Sequence, residues 1–86
     1  MSNTIRIIVF KEGDLFVAQA LEVDIAAQGS TADEAIAKLS ALVHIEDREA
    51  KQAGGSLFDI GPAPATVQAF YDDIEVRRDQ IELAAA

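Results

Sequence analysis

The chain has 86 residues, half of them apolar, and its fifteen acidic and seven basic residues give a net charge of −8 at pH 7. This length suits a single domain that buries only about 60% of the surface of its unfolded chain, so a thin core is expected. No cysteine is present, which excludes a disulfide scaffold, a thiol nucleophile and a thiolate metal site. The apolar run at residues 7–10 is too short for a signal peptide or a membrane span, so we expect a cytoplasmic protein with no membrane association.

The excess of acidic over basic residues indicates which classes of partner the chain can bind. Phosphate backbones are bound by clusters of basic residues, and the only adjacent basic pair, Arg77 and Arg78, lies between Glu75 and Asp79. We therefore expect no direct nucleic-acid binding by the monomer. A strongly acidic protein attracts basic partners, although ordinary solvated surface charge explains the same composition.

Three short strands are predicted before residue 30. Residues 4–10 are rich in β-branched and aromatic side chains, residues 15–23 resume that pattern after a turn at Gly13, and residues 24–28 form a shorter strand ended by Gly29. Such tight connections favour an antiparallel meander, because parallel pairing needs a long crossover. In the first strand, alternation places three residues on one face (Ile5, Ile7 and Val9) and three on the other (Arg6, Ile8 and Phe10).

A long helix over residues 32–52 is the clearest local signal. Ser30 and Thr31 are good N-caps, and Thr31 with Glu34 fits a capping box. The glycines at 54 and 55 end the helix. Its apolar stripe at helical spacing consists of Ala35, Ile36, Leu39, Leu42, Val43 and Ala50.

The remaining chain predicts a second helix. Residues 56–60 fit either a brief fourth strand or a loop that plugs the core, and Pro64 suits the first turn of a helix over about 65–83. The apolar side of that helix is Val67, Phe70, Tyr71, Ile74 and Ile81. The fold class is therefore α+β, in the order β-β-β-α(-β)-α, with an antiparallel sheet of three or four strands packed on one long helix.

Candidate catalytic groups are few, and we predict a protein that is not an enzyme and needs no metal or cofactor. His44, the only histidine, has Ser40 one turn before it and Arg48 one turn after it, and neither pairing forms a convincing triad. A structural or surface role for His44 is the simpler interpretation. The adjacent carboxylates at 46–47 and 72–73 point to different sides of a helix, which suits solvated faces better than a metal site.

Three segments together resemble the HicB-like antitoxins of bacterial and archaeal toxin–antitoxin pairs. The segment 6–18 is similar to that family's hairpin, in which an aromatic residue follows the turn. The segment 28–35, Gln-Gly-Ser-Thr-Ala-Asp-Glu-Ala, is similar to its strand-to-helix junction, and residues 53–64 are similar to the segment that leaves the helix. The resemblance implies a domain over 1–64 with a partial ribonuclease-H-like fold. We expect residues 65–86, which lie outside the resemblance, to form a C-terminal helix that packs on this domain or on another subunit.

In function, the resemblance implies an antitoxin that binds and neutralises a small basic mRNA-cleaving toxin of the HicA type. Many family members append a helix-turn-helix or ribbon-helix-helix domain, whereas residues 65–86 predict one helix, so a stand-alone module without DNA binding is expected. Family members also place a Pro and a Gly between the second and third strands, where this chain has Leu21-Glu22-Val23-Asp24-Ile25.

A second hypothesis is a stand-alone oligomeric domain that binds a small molecule or another protein, with no toxin involved. Under both hypotheses we expect a homo-oligomer, either a dimer or a tetramer, because the core is thin and a sheet edge stays unpaired. The candidate partner-binding residues are two acidic residues after the second strand and three apolar residues of the last helix, namely Glu22, Asp24, Phe70, Tyr71 and Ile74.

Overall fold

A computed structural model describes residues 2–73 and 77–84. Its four strands are β1 (Ser2–Glu12), β2 (Leu15–Ala20), β3 (Ala26–Gly29) and β4 (Arg77–Ala84). They form one sheet in the order β3-β2-β1-β4, and every neighbouring pair is antiparallel. The predicted meander of the first three strands and the α+β class are confirmed.

The β1–β2 connection is a tight turn that requires glycine. Gly13 has a φ of 62°, in the left-handed region that an L side chain rarely adopts. The turn sets the register in which Phe10 pairs with Val17, and Val17 in turn pairs with Gln28 of β3. The second strand is shorter than predicted, because the chain bends at residues 21–23 rather than continuing to Val23.

Helix α1 spans Ala32–Gln52, the range that the sequence predicts. The Thr31 hydroxyl accepts a hydrogen bond from the Glu34 backbone N–H at 3.0 Å and so caps the first turn. The pKa of the Glu34 carboxyl lies below its ordinary value, because Lys38 donates a hydrogen bond to it, the Ser30 backbone N–H donates another, and the Lys38 charge attracts it. The Thr31 half of the predicted capping box is present, whereas the Glu34 carboxyl accepts from the N–H of Ser30 rather than from that of the cap residue itself. Among the described residues, no helix is both long and apolar enough to cross a membrane.

The main core lies between α1 and one face of the sheet. Ala35, Leu39 and Val43 of α1 are fully buried in the same apolar cluster as Ile5, Ile7 and Val9, which share one face of β1. Leu42 departs from the predicted stripe, since 39% of it is exposed. Helix α1 packs over β3 and β2 and only slightly over β1, so the side of α1 that carries Leu42 overhangs the β3 edge.

A smaller apolar cluster covers part of the opposite face. Ile8 and Leu21 are fully buried there beneath Ala63, with Phe10, Val67 and Tyr71 packed around them. The segment after α1 therefore crosses to the second face of the sheet. Both faces are covered near the middle of β1, which explains why Ile7 and Ile8 are both fully buried although they point in opposite directions.

The segment that follows α1 is helical only in short pieces. Residues 56–60 form a 3₁₀-helix, Leu57–Ile60, instead of a strand, and Leu57 inserts into the main core. Helix α2 covers only Ala65–Gln68 and continues as a 3₁₀ turn over Ala69–Asp72. A short C-terminal helix is thus present.

The prediction that this helix runs to about residue 83 is wrong, because Arg77–Ala84 is strand β4. The edge of β1 opposite β2 would otherwise leave its backbone groups unpaired, and β4 pairs with it from Ser2↔Ala84 to Val9↔Arg77. Pairing also buries Ile81 and Leu83, at 6% and 4% exposure, in the main core. Burial of two such side chains contributes about 1.5–3 kcal/mol each, which outweighs the modest helix propensity of this segment.

Candidate protein-binding surface

The backbone ladder between β1 and β2 opens at Leu21, and a side chain takes over its hydrogen bond. The Leu21 N–H donates to the Arg6 carbonyl at 3.0 Å, but the Leu21 carbonyl turns away and accepts from the Ala63 N–H at 3.0 Å. The Glu22 carboxylate fills the place of that carbonyl and accepts from the Arg6 N–H at 2.6 Å. Its other oxygen accepts from Arg6 Nε at 2.7 Å. Two bonds from one carboxylate hold Arg6 in a fixed orientation on the second face of the sheet.

The C-terminal segment docks at this opening through polar and aromatic contacts. Gln68 Nε2 donates to the Leu21 carbonyl at 2.6 Å and to the Ala63 carbonyl at 3.3 Å. The Arg6 guanidinium lies 4.9 Å from the centre of the Tyr71 ring, and that of Arg78 lies 5.6 Å from the same ring. Cation–π contacts of this kind contribute about 0.5–1 kcal/mol each at exposed sites. They join β1 and β4 to the 3₁₀ turn that follows α2.

A groove of about 630 Å³ runs beside this network and is open to solvent. Its walls come from β1, the bend after β2, and the segment after α1, and its lining residues include Arg6, Glu22, Phe58, Pro62, Ala65 and Gln68. The polar groups lie along one wall, whereas Phe58, Pro62 and Ala65 make the rest largely apolar. A groove with one polar wall and an apolar remainder suits a peptide, or a segment of a protein, that presents both apolar and charged side chains.

Three large apolar side chains between residues 57 and 72 face solvent. Phe58 is 39% exposed, Ile60 47% and Phe70 48%. Single exposed apolar residues are ordinary, but several aromatic and aliphatic ones within one short segment are typical of an interaction surface. The groove and these three side chains are called the α2 surface below.

The structure brings only some of the predicted partner-binding residues together. Glu22 belongs to the groove, Tyr71 stacks beside it on Arg6, and Phe70 faces solvent in the same segment. Asp24 lies between the bend at residues 21–23 and β3 and accepts a hydrogen bond from Gln19 Nε2 at 3.1 Å. Ile74 lies outside the described residues.

Sequence reasoning missed Arg6, Phe58 and Gln68 as members of this surface. Arg6 carries a signal in the sequence, because it is the one charged residue inside the first apolar strand. Phe58 and Gln68 carry none, since only the crossing of the chain to the second face brings them near Arg6.

The groups that could support catalysis are scattered. His44 is exposed on α1, and its Nδ1 lies 2.7 Å from the Ser40 carbonyl, to which it can donate a hydrogen bond. Within residues 2–73 and 77–84, no three histidine or carboxylate side chains lie close enough together to hold a metal ion. Every buried side-chain nitrogen or oxygen in these ranges has a hydrogen-bond partner.

Comparisons of the chain with protein-family models, with curated proteins and with solved structures gave no match. The fold and the surface therefore define a class in structural terms only: a small, acidic α+β domain with an open, partly apolar groove on the sheet face opposite its long helix.

Proposed function

We propose that this chain is a protein-binding module, and that its partner is a small basic ribonuclease of the HicA type, which it would neutralise as an antitoxin. The observation that carries the proposal is the α2 surface, where exposed Phe58 lines a groove together with the Arg6–Glu22 pair. Ile60 and Phe70 are exposed in the same segment of the chain. Aromatic anchors in such positions supply most of the binding free energy of many interfaces.

The charge of the chain supports a basic partner. A net charge of −8 on 86 residues would accelerate association with a basic protein and would disfavour acidic competitors. An acidic module that covers the RNA-binding face of a basic enzyme would block its substrate by occupying the same positive surface. Since such toxins cleave mRNA, the module would act in the cytoplasm.

The type of partner is inferred from the hairpin and the junction, which resemble those of HicB-like antitoxins. The junction forms the strand end, the Thr31 cap and the first turn of α1. These elements set the relative position of β3 and α1, and they do not themselves contribute to the α2 surface.

The test is binding and inhibition with a purified HicA-type ribonuclease. We expect the wild-type chain to bind it and to stop RNA cleavage, more weakly as salt is raised because the charge attraction is screened. The double variant Phe58→Asp, Phe70→Asp should weaken binding at least about tenfold, which corresponds to about 1.4 kcal/mol. Leu15→Asp is the matched control, because Leu15 is 41% exposed at the far end of the hairpin.

Two results would refute this proposal. One is failure of the folded wild-type chain to bind any such ribonuclease at low salt. The other is equal weakening by Leu15→Asp and by the double variant, which would show that the α2 surface is not the contact.

A small-molecule site is the second candidate, because the groove volume of about 630 Å³ falls in the range of ligand pockets. Thermal stabilisation by a compound library distinguishes the two. A hit that loses its effect in Gln68→Ala, while no basic protein binds, would favour the small-molecule function.

A further inference from the structure

A second groove, unrelated to the α2 surface, runs along the β3 edge of the sheet. It has a volume of about 440 Å³ and lies between β3 and the outer side of α1. Leu42 and Ile45 line it and are 39% and 40% exposed, with Ala41 beside them and Ala27 on the strand side. Lys38 stands at one end. Two large aliphatic side chains therefore overhang a sheet edge without cover in this chain.

The β3 edge itself is open to strand pairing. The Ala20 N–H donates to the Ile25 carbonyl at 2.9 Å, and the register Ala18↔Ala27 continues that pair. Hydrogen-bonded pairs alternate with non-bonded pairs in antiparallel ladders. The N–H and C=O groups of Ala26 and Gln28 therefore point away from β2, toward the empty side.

The two edges of the sheet differ in their side chains. The β4 edge carries the charged residues Arg77, Arg78, Asp79 and Glu82, which is how natural sheets discourage pairing with another chain. The β3 edge is Ala-Ala-Gln-Gly, without a charge or a proline. Only the β3 edge is therefore chemically suited to a further strand.

We propose that a second copy of this chain occupies this edge, through a two-fold axis that pairs β3 with β3 and packs α1 against α1. The two four-stranded sheets would then form one continuous sheet with both long helices on the same face. Leu42 and Ile45 of each copy would meet across the axis and become buried.

The position of α1 fits this arrangement. Helix α1 packs over β2 and β3, and strands lie about 4.8 Å apart. A helix axis midway between β2 and β3 therefore projects about 5 Å from a two-fold axis placed half a strand spacing outside β3. Two copies of α1 would thus lie about 10 Å apart, which is the normal distance between packed helices. A lone peptide strand on β3 would leave the outer side of α1 largely uncovered, because it supplies no second helix.

The charges on the outer side of α1 in one copy also complement those on the same side of α1 in a second copy. An antiparallel helix pair centred near Leu42 brings Lys38 of one copy toward Glu46 and Glu49 of the other, because the two lie on opposite sides of that centre. The remaining acidic surface of each copy opposes association, and its repulsion is screened by salt. We therefore expect dimerisation to strengthen as ionic strength rises, which is opposite to the salt effect expected for a basic partner.

Light scattering coupled to size exclusion tests this proposal on the full chain. The wild type should have twice the 9.2 kDa mass of one chain at concentrations up to about 100 μM, a range that detects micromolar dimers. The variant Leu42→Arg, Ile45→Arg should raise the dimer dissociation constant at least about 100-fold, as expected for the loss of a central apolar contact. Both residues are exposed in the single chain, so the variant should keep its fold by circular dichroism.

A backbone variant and a control complete the test. Gln28→Pro removes an outward N–H without removing a bond to β2 and should also weaken the dimer. Ile60→Arg, at a residue that is 47% exposed on the α2 surface, should leave it intact.

A monomeric wild type at about 100 μM, or a dimer that withstands both edge variants, would overturn the proposal. A monomer whose binding of a basic ribonuclease is lost on Leu42→Arg, Ile45→Arg would overturn it too, since the groove would then hold a partner segment. The proposed ribonuclease binding is tested separately, by the Phe58→Asp, Phe70→Asp variant.

Discussion

Replacing Gly29 by Ala tests the closest backbone approach at the junction between β3 and α1. A Cβ atom at position 29 would lie 2.6 Å from the Ala35 backbone nitrogen and 3.0 Å from the Glu34 carbonyl carbon, whereas ordinary contacts begin at 3.4 Å. The first turn of α1 would have to retreat by about 0.8 Å to restore the closest of these contacts. Backbone atoms cannot rotate aside as a flexible side chain can, so the retreat must move the helix or the strand.

The expected loss of folding free energy is the sum of the overpacking, the strain in the Thr31 cap and an opposing effect on the unfolded chain. Overpacking of this kind costs about 1–3 kcal/mol. The Thr31 cap, whose hydroxyl is 3.0 Å from the Glu34 N–H, would be strained as well, at up to about 1 kcal/mol. Loss of glycine freedom in the unfolded chain offsets about 0.4–1 kcal/mol. We expect a net destabilisation of about 1–3 kcal/mol, which corresponds to a Tm lower by roughly 4–24 °C for a domain of this size.

Urea unfolding followed by circular dichroism measures the effect, with Gly13→Ala as the matched control. Gly13 has a φ of 62° and nothing within 4 Å of an added Cβ, so its variant carries only the left-handed backbone cost of about 1–2 kcal/mol before the same offset. Gly29→Ala should therefore be the more damaging of the two. A Gly29→Ala protein within about 0.5 kcal/mol of the wild type would refute the close approach.

Three further substitutions test the core, the cap and the second face of the sheet. Leu39→Ala removes a fully buried side chain and should lower the free energy of unfolding by about 2–5 kcal/mol, measured by chemical denaturation. A loss no larger than that caused by truncating an exposed leucine to alanine would contradict the place of Leu39 in the core. Lys38→Met should move the pKa of Glu34 up toward its ordinary value in an NMR titration, because Lys38 is the main cause of the lowered pKa. A carboxyl with a lowered folded pKa stabilises the fold above its unfolded pKa and loses that contribution as pH falls through the folded pKa, so the acid side of the stability profile should flatten in this variant. Glu22→Ala removes the acceptor of the Arg6 N–H and should cost about 1–3 kcal/mol, whereas Glu22→Gln, which keeps an acceptor oxygen, should cost less.

Elements whose signals are local were predictable from the sequence. Helix α1 begins after Thr31 and ends before Gly54 because the cap and the terminating glycine act on neighbouring backbone groups. The β1–β2 hairpin depends in the same way on one turn at Gly13. These features need no knowledge of distant residues. The predicted bounds of α1 and the predicted position of the turn agree with the structure, although β2 ends at Ala20 rather than at Val23.

The features that depend on distant partners were not predictable. Within Arg77–Ala84 only Gln80-Ile81-Glu82-Leu83 alternates between polar and apolar residues, a weak strand signal. The strand forms because it pairs with the free edge of β1, and the paired residues run from Val9↔Arg77 to Ser2↔Ala84, far apart in sequence. Leu42 has the spacing of a core residue and is exposed only because α1 lies near the sheet edge. The Arg6–Glu22 contact arises from the opening of the ladder at Leu21, which no local pattern indicates.

The pairing of β4 with β1 also has a consequence for how the chain reaches its fold. Ser2 pairs with Ala84, so this ladder closes the longest loop in the described chain, and contacts of such separation form late. During synthesis, the free edge of β1 stays unpaired until the last strand has emerged, and through that interval it can be extended by any strand nearby. We expect the amides of β1 that face β4 to exchange with solvent sooner than those that face β2, although both belong to the same strand.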